Sequence, residues 1–176
     1  MDLAIIPECY VDTNLAETLV PPISKGYNHQ KGCGTVTKVM KENFRDRFAV
    51  GIIDKDKRDV DYLKEFDVII ASSSLLLHKH PNRHHYIIQI SPAIETMILK
   101  NAGEMDVTVG DFDLPTNMDD FKKESKRENS KKDDRFKRLF KALKKVGAPD
   151  FVKLESWIRY LKEKQYDADM DELKAL

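Results

Sequence analysis

The stretch FAVGIIDKDK, Phe48 to Lys57, decides the fold. Its first six residues are an unbroken apolar run without polar alternation, which reads as a strand over 48–53 buried on both faces. Strands of this kind lie in sheets covered by helices on both sides. The run ends in Asp54 and Asp56, with one lysine between them. Side chains alternate along an extended chain, so the two carboxylates share a face while that conformation lasts. Carboxylates held close together repel, and one pKa rises unless a cation neutralises them. A plainer reading stays open, in which residues 54–57 are a polar turn with Asp56 or Asp59 capping the next helix.

Working outward, residues 3–6 form a second apolar run, read as a buried strand with Glu8 just past its end. The pattern predicts a helix over 13–20, with Asp12 as its N-cap and Pro21-Pro22 as its stop. Gly32-Cys33-Gly34 reads as a tight turn, before apolar residues at helical spacing (Val36, Val39, Met40, Phe44). A short helix is expected near 60–65, a strand at 67–70, a short helix at 72–77 and a strand at 85–90. Ser91-Pro92 reads as N-cap and N1 of a helix carrying Glu95 in its first turns. Strands alternating with helices predict an α/β fold with a mostly parallel central sheet flanked by helices.

Beyond about residue 105 the character changes. Residues 106–120 are acidic and loop-like, and 121–130 are charged enough to be partly mobile. Phe136, Leu139, Phe140 and Leu143 form one apolar stripe, ended by Gly147 and Pro149, and a last helix carries Phe151, Leu154, Ile158 and Leu161. The pair is expected as a C-terminal helical hairpin. The chain thus divides into an α/β part, 1–105, and a loop and helical extension, 106–176, packed on the same domain.

Composition narrows the classes. Charged residues make up 34% and hydrophobic residues 41%, which fits a folded globular chain and not a disordered one. Formal net charge is zero, so only local asymmetry can point to a partner. Between Lys122 and Lys145, Lys and Arg outnumber Glu124, Glu128, Asp133 and Asp134. A solvated helix face is the ordinary explanation. The excess also makes Lys131, Lys132, Arg135 and Arg138 candidates for phosphate-backbone contact with nucleic acid. The two cysteines form no CxxC motif and no disulfide framework, and the N-terminus carries neither a signal peptide nor a membrane span. The expectation is a cytoplasmic protein with no membrane partner. His78, His80, His84 and His85 fit no standard zinc spacing and read as an exposed loop before a strand.

The order of these features carries a resemblance. An apolar strand, Glu8, Asp12 and a helix, then Gly32-Cys33-Gly34 and a helix, then a strand ending in Asp54-Lys55-Asp56, looks like a Toprim domain. That domain is the metal-binding core shared by topoisomerases and primases. The Glu-x-x-x-Asp form, the glycine turn and the later helix with Glu95 resemble nucleases of the overcoming-lysogenisation-defect family and small Toprim-like anti-phage proteins. The resemblance spans roughly 1–102 and implies a Toprim/Rossmann-like fold, one or two Mg²⁺ or Mn²⁺ ions, and phosphodiester chemistry on DNA or RNA. It implies Glu8 as metal ligand or general base, Asp54 and Asp56 as catalytic metal ligands, and Asp12 and Glu95 as further ligands. For the defence proteins it also implies a separate partner protein. Where the family has glycine after the first glutamate, this chain has Cys9, and Pro7 precedes that glutamate. A bulkier residue there narrows backbone access for a phosphate. The alternative function is a non-catalytic nucleic-acid-binding or regulatory module of the same fold.

Overall fold

A computed structural model describes residues 2–55 and 60–176. Five strands form one sheet in the order β1-β2-β5-β4-β3: β1 Ile5–Pro7, β2 Ala49–Asp54, β3 Asp67–Ala71, β4 Leu75–Lys79 and β5 His85–Ile90. The helices are α1 Tyr10–Leu19, α2 Cys33–Val39, α3 Ile94–Glu104, α4 Met118–Ser125, α5 Asp134–Lys145, α6 Pro149–Lys164 and α7 Met170–Ala175. The chain is therefore α/β, with helices against a mixed sheet.

The sheet is less parallel than the alternation predicts. β1, β2 and β5 run parallel, whereas β4 pairs antiparallel with β5 and β3 antiparallel with β4. The reason lies in the expected helix over 72–77, which is instead a turn at residues 72–74 followed by β4. A turn that short can only reverse the chain into an antiparallel neighbour, and parallel pairing needs a longer crossover.

Alternation along the strands sorts the core into two layers. Ile5, Val50, Ile52, Tyr86, Ile88 and Ile90 pack with residues of α1, α3, α5 and α6. Ile6, Ala49, Ile53 and Ile87 pack with Val36, Met40, Tyr62 and Phe66 on the other side. Gly51 faces that second layer, where a Cβ would meet Met40 Sδ at 2.9 Å and Val36 Cγ1 at 3.0 Å. The glycine in the middle of β2 is what allows α2 and the π-helical turn Met40–Phe44 to close on the sheet.

The charged C-terminal part is ordered by its apolar residues. Phe121 of α4 is buried and meets Phe136 edge-on, and the 121–130 stretch holds the end of α4 and the start of a 3₁₀ turn, Glu128–Lys132. The loop-like 106–120 stretch holds a 3₁₀ turn at Val109–Phe112. Helix α5 turns Phe136, Leu139, Phe140 and Leu143 inward, against α1. Phe140 meets Phe151 of α6 at 5.9 Å between ring centroids. Asn14 of α1 ties the layers together: its Nδ2 donates to Ser130 O at 2.7 Å and to Asp133 O at 3.1 Å.

The histidines expected in an exposed loop lie largely inside. His78 and His80 belong to β4 or its end, His85 opens β5, and all three are buried. His85 Nδ1 lies 2.7 Å from Tyr62 Oη, and burial lowers the pKa of His85 to about 4. The His80 and His85 rings pack with Tyr62 and Phe66 as core residues, and His78 Nε2 lies 3.2 Å from Gln89 Oε1.

Candidate functional site

The acids converge at the C-terminal ends of β1 and β2, where open α/β sheets place ligands. Asp54 is the last residue of β2 and follows Val50 and Ile52 on the α1/α3 face. Its Oδ1 accepts the Ile94 N–H at 2.9 Å. Asp54 thereby caps α3, which begins after Ala93 and not at Ser91-Pro92. Ser91 N is held by Ser74 O at 2.8 Å, which keeps that residue extended beside β4. Glu8 continues the ladder, donating its N–H to Ile52 O at 2.9 Å, and its Oε2 accepts the Asp54 N–H at 3.0 Å. Asp56 lies outside the described residues.

Asp12 is not the N-cap. Helix α1 starts at Tyr10, Cys9 is the N-cap, and Asp12 is the N3 residue of a capping box. Cys9 Sγ accepts the Asp12 N–H at 3.3 Å while Asp12 Oδ2 accepts the Cys9 N–H at 3.1 Å. The cysteine stands where the motif ordinarily has serine or threonine, which hid the signal in Cys9-Tyr-Val-Asp12. Asp12 is 1% exposed, and its Oδ1 is buried without a hydrogen-bond partner among the described residues. Glu95, also buried, accepts the Ser125 hydroxyl at 2.6 Å from α4. Nothing in the sequence marks Ser125 as a partner 30 residues away.

The electrostatics bind four of these acids into one set. Burial raises Asp12 to about 7, and the charges of Glu8 and Glu95 add to the rise. Burial raises Asp54 to about 9, with Asp12, Glu95 and Glu8 contributing in that order. The structure thus brings Glu8, Asp12, Asp54 and Glu95 into mutual influence.

They do not form a closed ligand set. Among the described residues, no three His, Cys, Asp or Glu side chains are placed to hold a metal ion. Alternation separates two of them: Asp54 turns to the α1/α3 face, and Glu8 turns toward α2. On the α2 side, Glu8 lines a cleft of about 710 Å³ with residues 32–35, Lys38 and Tyr62. Gly32 precedes α2 at a φ of 85°, a left-handed conformation open to glycine.

The basic residues are spread apart as well. Lys38 lines the cleft, Lys55 and Lys31 are exposed, and Lys100 contacts Ser73 and Glu104. Arg135 is committed to Glu124 at 2.8 Å and Asp133 at 2.7 Å, and Arg138 to Asp113 at 2.9 Å. Lys131 and Lys132 have no ion-pair partner among the described residues.

Comparison with protein-family models, curated proteins and solved structures finds no match. The Toprim resemblance therefore rests on the quoted residues alone. No helix among the described residues is long and apolar enough to cross a membrane.

Proposed function

We propose that this chain carries out metal-dependent phosphodiester chemistry on nucleic acid, in the manner of a Toprim nuclease, with its acidic edge as the site. One observation carries the reading: burial, together with the charges of Glu8 and Glu95, raises the pKa of Asp12 and of Asp54 at the sheet's C-terminal edge, next to an open cleft lined by Glu8. A set of buried like charges is unfavourable without a counter-charge. Its donors are all carboxylate oxygens, which suit the hard cations Mg²⁺ and Mn²⁺. The orphaned Asp12 Oδ1 is a donor atom in need of a partner. A dication held by these carboxylates would supply Lewis-acid polarisation of a phosphoryl oxygen and an activated water. The chain's own part is to hold the acids: Glu8 against the Asp54 backbone, Asp54 against the Ile94 backbone, Asp12 against Cys9 and Glu95 against Ser125. Lys38 in the cleft is the candidate cation for developing negative charge.

The test is nicking of supercoiled plasmid and cleavage of labelled RNA with Mg²⁺ or Mn²⁺, alongside calorimetric metal titration. Asp54→Asn keeps an oxygen for the Ile94 cap while removing the charge. It should lower cleavage by about 100-fold, the upper end of what even an outer partner of a metal site costs. Absence of metal binding by the wild type, or cleavage by Glu8→Gln and Asp54→Asn at the wild-type rate, sinks the reading.

The second reading is a non-catalytic nucleic-acid-binding or regulatory module. The capping geometry favours it, because Asp12 and Asp54 each have a structural role at a helix start that needs no chemistry. Metal binding without cleavage would select it.

A further inference from the structure

A cleft of about 550 Å³ lies between α1 and α5, lined by Asn14, Glu17, Thr18, Pro21, Lys131, Lys132, Lys137 and Lys141 among others. Four lysines face one carboxylate there. That carboxylate is occupied: Glu17 Oε1 accepts the Tyr27 N–H at 2.8 Å. Gly26 makes this contact possible, since a Cβ on it would meet Glu17 Oε1 at 2.7 Å. None of the four lysines has an ion-pair partner among the described residues. Lys137 and Lys141 are neighbours at helical spacing on α5. Lys131 and Lys132 sit on the 3₁₀ turn that Asn14 clasps to α1, so their backbone position is fixed from below.

A few residues lie between this positive cleft and the acidic edge. Charge from Lys131 bears on His29, whose pKa is lowered by burial first and then by that lysine. The His29 ring stacks on Tyr10 at 4.5 Å, and Lys31 Nζ lies 5.5 Å from the centre of the Tyr10 ring. Lys31 adjoins Gly32, whose N–H reaches Glu8 O at 3.4 Å. A run of Lys31, Tyr10, His29 and Lys131 therefore leads from the Glu8 cleft to the lysine cleft.

We propose that the α1/α5 cleft is a groove for the phosphodiester backbone of a nucleic acid, contacted by Lys131, Lys132, Lys137 and Lys141, with Arg135 and Arg138 serving internal ion pairs. The choice of polyanion rests on the phosphodiester reading of the acidic edge. A membrane surface fits the groove less well. Interfacial helices insert an apolar face, and the apolar stripe of α5 is fully buried in the core.

The experiment is fluorescence anisotropy of labelled DNA and RNA oligonucleotides, single-stranded and duplex, in EDTA so that no cleavage occurs. For a single strand, four phosphate contacts give a log–log salt slope of about −3, and Lys137→Gln with Lys141→Gln should make it shallower by about 1.4. The same pair should weaken binding about ten-fold at low salt, and Lys131→Gln with Lys132→Gln should act alike. Arg138→Ala should leave affinity within about two-fold. Unchanged affinity in both lysine pairs overturns the groove, as does binding to phosphatidylserine vesicles without binding to any oligonucleotide. Lysine-dependent binding without cleavage in Mg²⁺ or Mn²⁺ keeps the groove and removes the nuclease reading. Cleavage that ignores the lysines does the reverse.

Discussion

The acidic edge and the basic helical layer use charge in opposite ways. At the edge, carboxylates lie close together, and burial with the neighbouring acids makes Asp12 and Asp54 hard to ionise. In the basic layer the charges stay at the surface: some are cancelled pairwise, as Arg138 is by Asp113, and others stand unpaired around a cleft. The difference teaches that charge count is a poor guide to charge energetics. The basic run is far larger in sequence, yet the few buried acids carry the greater electrostatic cost, because low dielectric magnifies each interaction.

The comparison can be broken first where the basic layer is anchored. If apolar packing and not charge holds α5, Phe136→Ala should cost about 3–5 kcal/mol in urea unfolding. A loss below about 1 kcal/mol would mean that the ion pairs hold the layer. At the acidic edge, Ser125→Ala leaves Glu95 without its hydroxyl donor and should cost about 1–3 kcal/mol by the same measurement. A neutral result would show that Glu95 finds another donor.

A third test reads the edge through pH. The folded state keeps the Asp54 proton up to about 9, whereas the unfolded chain loses it near 3.8. The unfolded state thus binds fewer protons, and stability falls as pH rises through this window. Asp12 acts in the same direction up to about 7. Below about 6.5, buried His85 opposes them, since its lowered pKa makes stability rise with pH there. The clean window is therefore pH 7 to about 9. Metal-free wild type should lose stability across it, by at most about 1.4 kcal/mol per pH unit, and Asp54→Asn should lose less. Parallel curves for the two proteins would remove the coupling. The smallest expected effect is Arg138→Ala, within about 0.5 kcal/mol, because its pair with Asp113 is exposed.

Much of the sheet was legible. The apolar runs at 48–53, 67–70 and 85–90 are strands within a residue or so, because continuous apolar runs of that length have few other uses. Residues 72–77 failed because a short apolar run looks alike as helix or strand, and only the preceding serines hint at a turn. The acids were legible as types but not in their roles. Asp54 caps a helix 40 residues on, and Glu95 is held by a serine from another helix. Asp12 was misplaced by two turns of reasoning: its capping partner is a cysteine, and the helix begins earlier than the polar residues suggest. Such contacts depend on the finished fold and leave no local pattern. The pairing of α5 with its neighbours followed from its stripe of apolar residues, whereas the commitment of Arg135 and Arg138 to internal acids did not, since charge runs carry no record of which partner each side chain takes.

The clasp of Asn14 on Ser130 and Asp133 spans 116 and 119 residues. Chains are made from the N-terminus and their early segments emerge first. Every acid of the described edge is therefore synthesised before Ser125, Ser130 and α5, which cover it. The burial that raises Asp12 and Asp54 is therefore complete only once the last third of the chain has been made and packed.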